Sequence, residues 1–177
     1  NEVPELMVSL FVEPNKIISK DLSKITMRIK TKDGTKIDLP SVGMQTATSN
    51  DDGTATLVID LNSPSDATET ELANEKYLAA SAICDGTDEA VIAISKNALA
   101  SLPEDASDSD KALALRSAVN AFIVEKNMST AFGSASQTAR SKEGDCSEHA
   151  VLLCGVLRAA MIPSRGVMGM VYIQNYG

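Results

Sequence analysis

The residues best suited to chemistry are a cysteine and its polar neighbours at 144–149, with the sequence GDCSEH. A strongly apolar run follows as far as Ala160, and Pro163 comes shortly after it. This pattern predicts a tight Gly-Asp turn that places Cys146 at the start of a helix. Unpaired amides and the positive end of the helix dipole at that position favour thiolate over thiol. Cys146 is therefore the candidate nucleophile.

The alternative for Cys146 is a small buried hydrophobic side chain, which is the usual role of a free cysteine. Cys154 fits that role because it lies within the apolar sequence LLCGV, whereas Cys146 has Asp145 before it and Ser147 after it. A redox-sensing role would need a partner cysteine for Cys146. Cys154 is a poor partner, because eight residues of helix separate the two by ~12 Å.

Three polar neighbours of Cys146 have simpler explanations than catalysis. His149 follows the cysteine by three residues, and we expect it to hydrogen-bond locally or pack against the helix rather than act as its base. The helix dipole alone favours Asp145 and Glu148 near the helix start, ahead of a general-acid role. A metal site built from these three residues would need a further ligand, so we expect neither metal nor cofactor.

Composition narrows the class of partner. The net charge of −8 argues against nucleic acid or an anionic membrane surface and favours proteins, peptides or small molecules. No run approaches the ~20 apolar residues that membrane insertion requires. The three cysteines have spacings that match no zinc motif, although a Cys84–Cys154 disulfide is compatible with a secreted protein. The chain does not begin with Met, which suggests a trimmed start.

Short apolar strands alternate with polar turns in the residues before the helical region. This pattern predicts a first domain at 1–66, an antiparallel β module that resembles part of a sandwich. An Asp33-Gly34 pair suits a type I′ turn, because glycine tolerates positive φ. A second turn covers 50–53. The predicted strands are 5–13, 25–30, 35–39, 42–48 and 55–61.

The hydrophobic period changes after the polar, proline-containing stretch 62–68, and we predict a mainly helical second domain at 67–177. The fold class is thus α+β. Residues 69–81 form a short helix or an extended lead-in, and the last element is a strand at 167–173. The predicted helices are 87–102, 107 to about 127, 136–140 and 146–160.

The segment around Cys146 resembles the core of the transglutaminase-like superfamily, in particular its bacterial branch. The resemblance rests on one gap-free block from Gly144 to Gly169 that contains GDCSEHA, LL, LRAA and IPSR in order. More loosely, Tyr77-Leu78 and the two helices after it resemble the segment that precedes this core. The resemblance therefore covers roughly residues 72–177.

The resemblance implies a papain-like fold, of which residues 67–177 supply the helical half and the first strand. It also implies that Cys146 attacks a carboxamide or peptide carbonyl and forms a thioester, which passes to an amine or to water. The backbone amide of Cys146 would be one oxyanion donor. In this family the partner His and Asp lie on adjacent later strands, in a region that reads His-Xaa-Trp followed by a later Asp. We expect them beyond residue 177, so that the core is incomplete at its C-terminus and this chain alone is inactive.

The function that follows is acyl transfer or hydrolysis on protein or peptide amides by a cysteine nucleophile. The alternative is a non-catalytic binding or scaffolding protein that retains the fold. We expect Arg165 to make a structural ion pair or bind a carbonyl rather than substrate. We also expect dimerisation, or a longer chain, to cover the helix face around Leu153 and Leu157. The trimmed start and the β module favour an extracytoplasmic bacterial protein.

Overall fold

The computed structural model describes residues 14–19, 21–63, 68–127 and 133–173. These residues fall into two compact units. One unit contains the described residues among 1–67 and 169–177, and the other contains those among 68–168. The second unit carries all three cysteines. The domain division after residue 66 stays a prediction.

The first unit contains an antiparallel sheet of three strands in the order β1-β3-β2. The strands are β1 (Lys24–Ile29), β2 (Gln45–Ser49) and β3 (Ala55–Asp60). Side chains of β1 alternate between exposed and half-buried, as the sequence period of two predicted. Ala55 and Leu57 are buried on β3, which lies in the centre because both of its edges are paired.

The hairpin predicted at Asp33-Gly34 is wrong. Gly34 has the expected positive φ of 78°, but 35–39 contains no strand, and β1 pairs with β3 instead. Local turn chemistry cannot choose between two partner strands, and the buried side chains of β3 favour the central position for that strand. The strand predicted at 42–48 is shorter, and the one predicted at 55–61 is confirmed as β3. The strand predicted at 5–13 lies outside the described residues, and the sandwich stays a prediction.

The second unit contains five described helices and a 3₁₀ turn at Glu75–Tyr77. The N-cap side chains of Asp88, Ser107 and Ser134 accept backbone amides at three helix starts. The predicted ends at 102 and near 127 are several residues too late. The helices are α1 (Glu69–Leu72), α2 (Glu89–Leu99), α3 (Asp108–Phe122), α4 (Ala135–Ser141) and α5 (Cys146–Ala159).

Helix α5 is the central element of this unit and packs against α2, α3 and α4. Gly155 permits the close approach, because a Cβ there would lie 2.8 Å from the Cβ of Ala135 on α4. Apolar side chains of α2 and α3 supply most of the remaining core. The buried core residues are Val91, Ile94, Leu115, Val119, Ile123, Ala135, Ala139, Leu152 and Val156.

The strand predicted at 167–173 is wrong, since the structure has no strand among residues 163–173. The apolar residues of this segment are exposed, Met168 to 95% and Val171 to 84%. A strand needs a neighbour for its amides and carbonyls, and no strand pairs with it within the described part of the chain. Separately, none of the described helices is long and apolar enough to cross a bilayer.

Candidate active site

Cys146 is the first residue of α5 and is exposed, with a free thiol. Asp145 is the N-cap residue, and its carboxylate accepts the amide of Ser147 at 2.7 Å as well as the amide of Glu148. The N-cap thus satisfies two of the amides that a helix start leaves unpaired. The backbone N–H of Cys146 has no acceptor among the described residues. A thiol and a free N–H donor therefore lie on the same residue.

Glu148 is the most buried charged residue at the site, with no exposed surface. Its Oε2 accepts the amide of Asp145 at 3.1 Å and completes a capping box. Its Oε1 accepts the amide of Gly133 at 2.7 Å. One carboxylate therefore joins the turn before Cys146 to the loop that leads into α4. Because both oxygens are engaged inside the protein, Glu148 fixes backbone geometry and has no path to a substrate.

Gly144 gives the turn its shape. Its φ of 150° lies in the region that favours glycine, and a Cβ at this position would lie 2.2 Å from the Cβ of Glu148. The chain therefore passes directly over the first turn of α5 before it enters the helix. The tight Gly-Asp turn expected from the sequence is confirmed.

His149 is tied to the backbone. Its Nδ1 lies 2.6 Å from the carbonyl oxygen of Asp145. A carbonyl can only accept, so Nδ1 carries a proton and donates it. The local hydrogen bond expected from the sequence is thus confirmed. In the described structure no hydrogen bond joins the imidazole to the Cys146 thiol.

A groove of about 490 Å³ lies between α3 and α5. Ala150 and Leu153, two of its lining residues, follow Cys146 by four and seven positions, so they share its side of the helix. The groove therefore begins one turn after the thiol. Its remaining lining residues are Arg116, Ser117, Val119, Asn120 and His149.

The comparison with family models found one match. Residues 95–176 match the model of the transglutaminase-like superfamily. This segment of the chain is similar to that superfamily. The match includes α3, α4, α5 and Cys146, and it confirms the resemblance inferred from the residue block at 144–169. The comparisons with curated proteins and with solved structures found no match to the chain.

Two arginines near the end of the transglutaminase-like segment have structural partners. Arg165 binds the Tyr77 hydroxyl at 3.0 Å and Glu71 at 3.3 Å, and its guanidinium lies over the Tyr77 ring. The ion pair expected for Arg165 is confirmed. Arg158 donates to three backbone carbonyls: to Ser164 at 2.8 Å, to Ala79 at 2.7 Å and to Cys84 at 3.4 Å.

Sequence reasoning missed the roles of Glu148 and Arg158. An Asp at the N-cap followed three residues later by Glu is the signal for a capping box, and it is present at 145–148. An arginine within an apolar helical run has to find acceptors, but the run does not reveal that they are backbone carbonyls. Within the described ranges no cluster of three metal-binding side chains occurs, so Asp145, Glu148 and His149 find no further ligand there.

Proposed function

We propose that Cys146 is the nucleophile of an acyl-transfer or hydrolysis reaction on protein or peptide amides. The observation that carries the proposal is the combination of an exposed thiol and a free backbone N–H at the first residue of α5. The helix dipole favours negative charge at this end, both on the attacking sulfur and on the oxyanion that forms. The match to the transglutaminase-like superfamily supports the same chemistry.

The reaction has two stages. The Cys146 thiolate attacks the amide carbonyl carbon, and the backbone N–H of Cys146 donates to the developing oxyanion. The C–N bond then breaks, the leaving amine or ammonia takes up a proton, and a thioester remains. An amine or a water molecule attacks this thioester in the second stage and restores the free thiol.

We propose that the general base comes from outside these 177 residues. His149 is the only histidine in the sequence, and in the described structure no hydrogen bond joins it to the Cys146 thiol. We propose that the base is a histidine further along the natural chain, oriented by an aspartate. The papain-like core is part of this proposal. A non-catalytic binding or scaffolding role is the second candidate, because it explains equally well why the histidine present is engaged elsewhere.

The test uses the full natural chain with a glutamine-containing peptide. Release of ammonia reports formation of the thioester, and its two outcomes are reported by transfer to a fluorescent amine and by conversion of the glutamine to glutamate. We expect at least one of these activities in the parent protein, unchanged activity in Cys84→Ala and none in Cys146→Ala. Activity that survives Cys146→Ala would overturn the nucleophile, and no activity in any form would favour the scaffolding role.

Alkylation by iodoacetamide provides a second test that does not need the substrate. We expect Cys146 to react faster than the thiol of a small cysteine peptide at neutral pH, and Cys146→Ala to lose that fast phase. Peptide mapping identifies the modified residue. Exposure alone predicts only that Cys146 reacts before Cys154, so reaction no faster than the free peptide would argue against an activated thiol.

We also propose an assembly that covers part of α5. Leu153 and Leu157 are half-buried and pack against the core, so their face of α5 is partly covered within one chain. We propose that a second copy or further chain covers the rest. Sedimentation equilibrium of the 177-residue protein tests this, and a folded monomer at all concentrations would contradict it.

A further inference from the structure

The segment that contains Cys84 lies directly on α5. The carbonyl of Ile83 accepts the amide of Ala135 at 2.8 Å, and the carbonyl of Cys84 accepts from Arg158. The carbonyl oxygen of Asp85 lies 3.5 Å from the position that a Cβ on Gly155 would occupy. The backbone at 83–85 is therefore in contact with α5 at the level of Cys154.

The two cysteines are neighbours where these segments pack. The Cys154 thiol is near enough to Cys84 to raise the pKa of the Cys84 thiol, and a Cβ on Gly86 would lie 3.1 Å from the carbonyl oxygen of Gly155, the residue after Cys154. Cys154 is 4% exposed, whereas Cys84 is half-buried and can be reached from solvent. Both cysteines are reduced. A buried thiol beside an accessible one provides the components of an intramolecular disulfide.

Cys84 and Cys154 differ from the proposed nucleophile Cys146 in their surroundings and lie apart from it. Burial, together with the neighbouring Cys154 thiol, raises the pKa of Cys84 to about 11, although the charge of Arg158 acts in the opposite direction. Cys84 is therefore almost entirely protonated at neutral pH, and its exchange reactions are slow. Cys146 lies about 12 Å from Cys154 along the helix.

We propose that Cys84 and Cys154 form a reversible disulfide that fastens residues 79–86 to the middle of α5. The oxidant is a small-molecule disulfide. The Cys84 thiolate attacks it and releases one thiol, and the Cys154 thiolate then attacks the mixed disulfide and releases the second. Each protein thiol gives up its proton, two thiols leave, and the two electrons lost by the protein reduce the oxidant.

This modification differs from the proposed acyl transfer, because it leaves Cys146 unchanged. It would link two segments that Arg158 already holds together through the carbonyls of Ala79 and Cys84. The link closes a long loop of the chain, which is the arrangement in which a disulfide restricts the unfolded state most. Oxidation is thus expected to raise resistance to denaturation without blocking the nucleophile.

The test is a count of thiols in the folded protein after long incubation with oxidised glutathione at a pH of about 8.5, followed by alkylation in denaturant and mass mapping. We expect three alkylated cysteines before oxidation, and afterwards loss of Cys84 and Cys154 with two hydrogens missing from the joined peptides. Dithiothreitol should restore all three. Cys146 appears either as the free thiol or as a glutathione adduct, which mapping distinguishes.

Two variants make the outcome decisive. Cys146→Ser should still form the bridge and end with no free thiol, whereas Cys84→Ser should form none. The midpoint of urea unfolding should rise on oxidation in the parent and in Cys146→Ser, and stay unchanged in Cys84→Ser. Retention of both free thiols, a persistent glutathione adduct on Cys84, or a bridge that includes Cys146 would each overturn the proposal.

Discussion

The two cysteines of α5 differ in their exposure to solvent and in the side chains that surround them. Cys146, at the first position, is exposed and framed by the capping side chains of Asp145 and Glu148. Cys154, two turns later, is 4% exposed and lies beside Cys84, whose pKa it raises. Position along a helix thus decides the chemistry of a thiol: the end supplies free amides and a favourable dipole, and the interior supplies neither.

The largest effect on stability is expected from Gly144→Ala, which changes the backbone just before the start of α5. The new Cβ would lie 2.2 Å from the Cβ of Glu148, and φ is 150°, so the turn has to move. We expect a loss of about 3–5 kcal/mol in the free energy of unfolding. Urea unfolding measures it. Gly166→Ala is the matched control, because open space surrounds that position, and equal stability of the two variants would contradict the steric account.

The next effect is expected from Glu148→Gln, which keeps the shape of the side chain but replaces one accepting oxygen by a donating NH₂. That group would face the amide of either Gly133 or Asp145. We expect a loss of about 2–4 kcal/mol and slower alkylation of Cys146, because the turn before it loosens. Glu104→Gln, on an exposed side chain, should be neutral. A neutral Glu148→Gln would show that the buried carboxylate does not hold the turn.

A smaller effect is expected from Arg158→Lys, near the C-terminal end of α5 and one turn after Cys154. A lysine cannot reach the carbonyls of Ser164 and Ala79 together in the way that the planar guanidinium does. We expect a loss of about 1–2 kcal/mol with no change in Cys146 alkylation. Arg116→Lys, on the exposed side of α3, is the control. A change in Cys146 reactivity would mean that the two ends of α5 are coupled.

The smallest effect concerns the half-buried carboxylate of Asp88, in contrast to the fully buried Glu148. The Arg140 side chain, followed by the amide of Ala90, holds the pKa of Asp88 below its usual value. A lowered folded-state pKa contributes stability above the unfolded pKa, near 4, that is lost as pH falls through the folded value. Asp88→Asn keeps an N-cap, so it should only flatten the fall in thermal midpoint below about pH 4. An unchanged acid profile would contradict the ion pair.

The sequence was informative wherever the determining interaction is local. Ser107 caps α3, Asp145 caps α5, and the alternation in β1 follows from the strand period, so these features could be predicted. Pairing could not. The order β1-β3-β2 and the lack of a strand at 167–173 both depend on which strands are available as neighbours.

The same division applies to the candidate site. The location of Cys146 at a helix start follows from the residues around it. By contrast, the contact of Glu148 with Gly133 and the contact of Arg158 with the Cys84 carbonyl join positions far apart in the chain. Such contacts are set by how the helices pack, and composition at either position gives no sign of them.

The close approach of Gly144 to Glu148 has a consequence for protein engineering. The obstructing atom is the Cβ of Glu148, which every residue except glycine possesses, so a shorter side chain at 148 does not make room for a larger one at 144. The glycine requirement belongs to the path of the backbone over the helix. Transplanting Cys146 with its present surroundings onto another scaffold would therefore require the segment from Gly144 to Glu148 as one unit, since Cys146 and its N-cap alone would not reproduce the geometry.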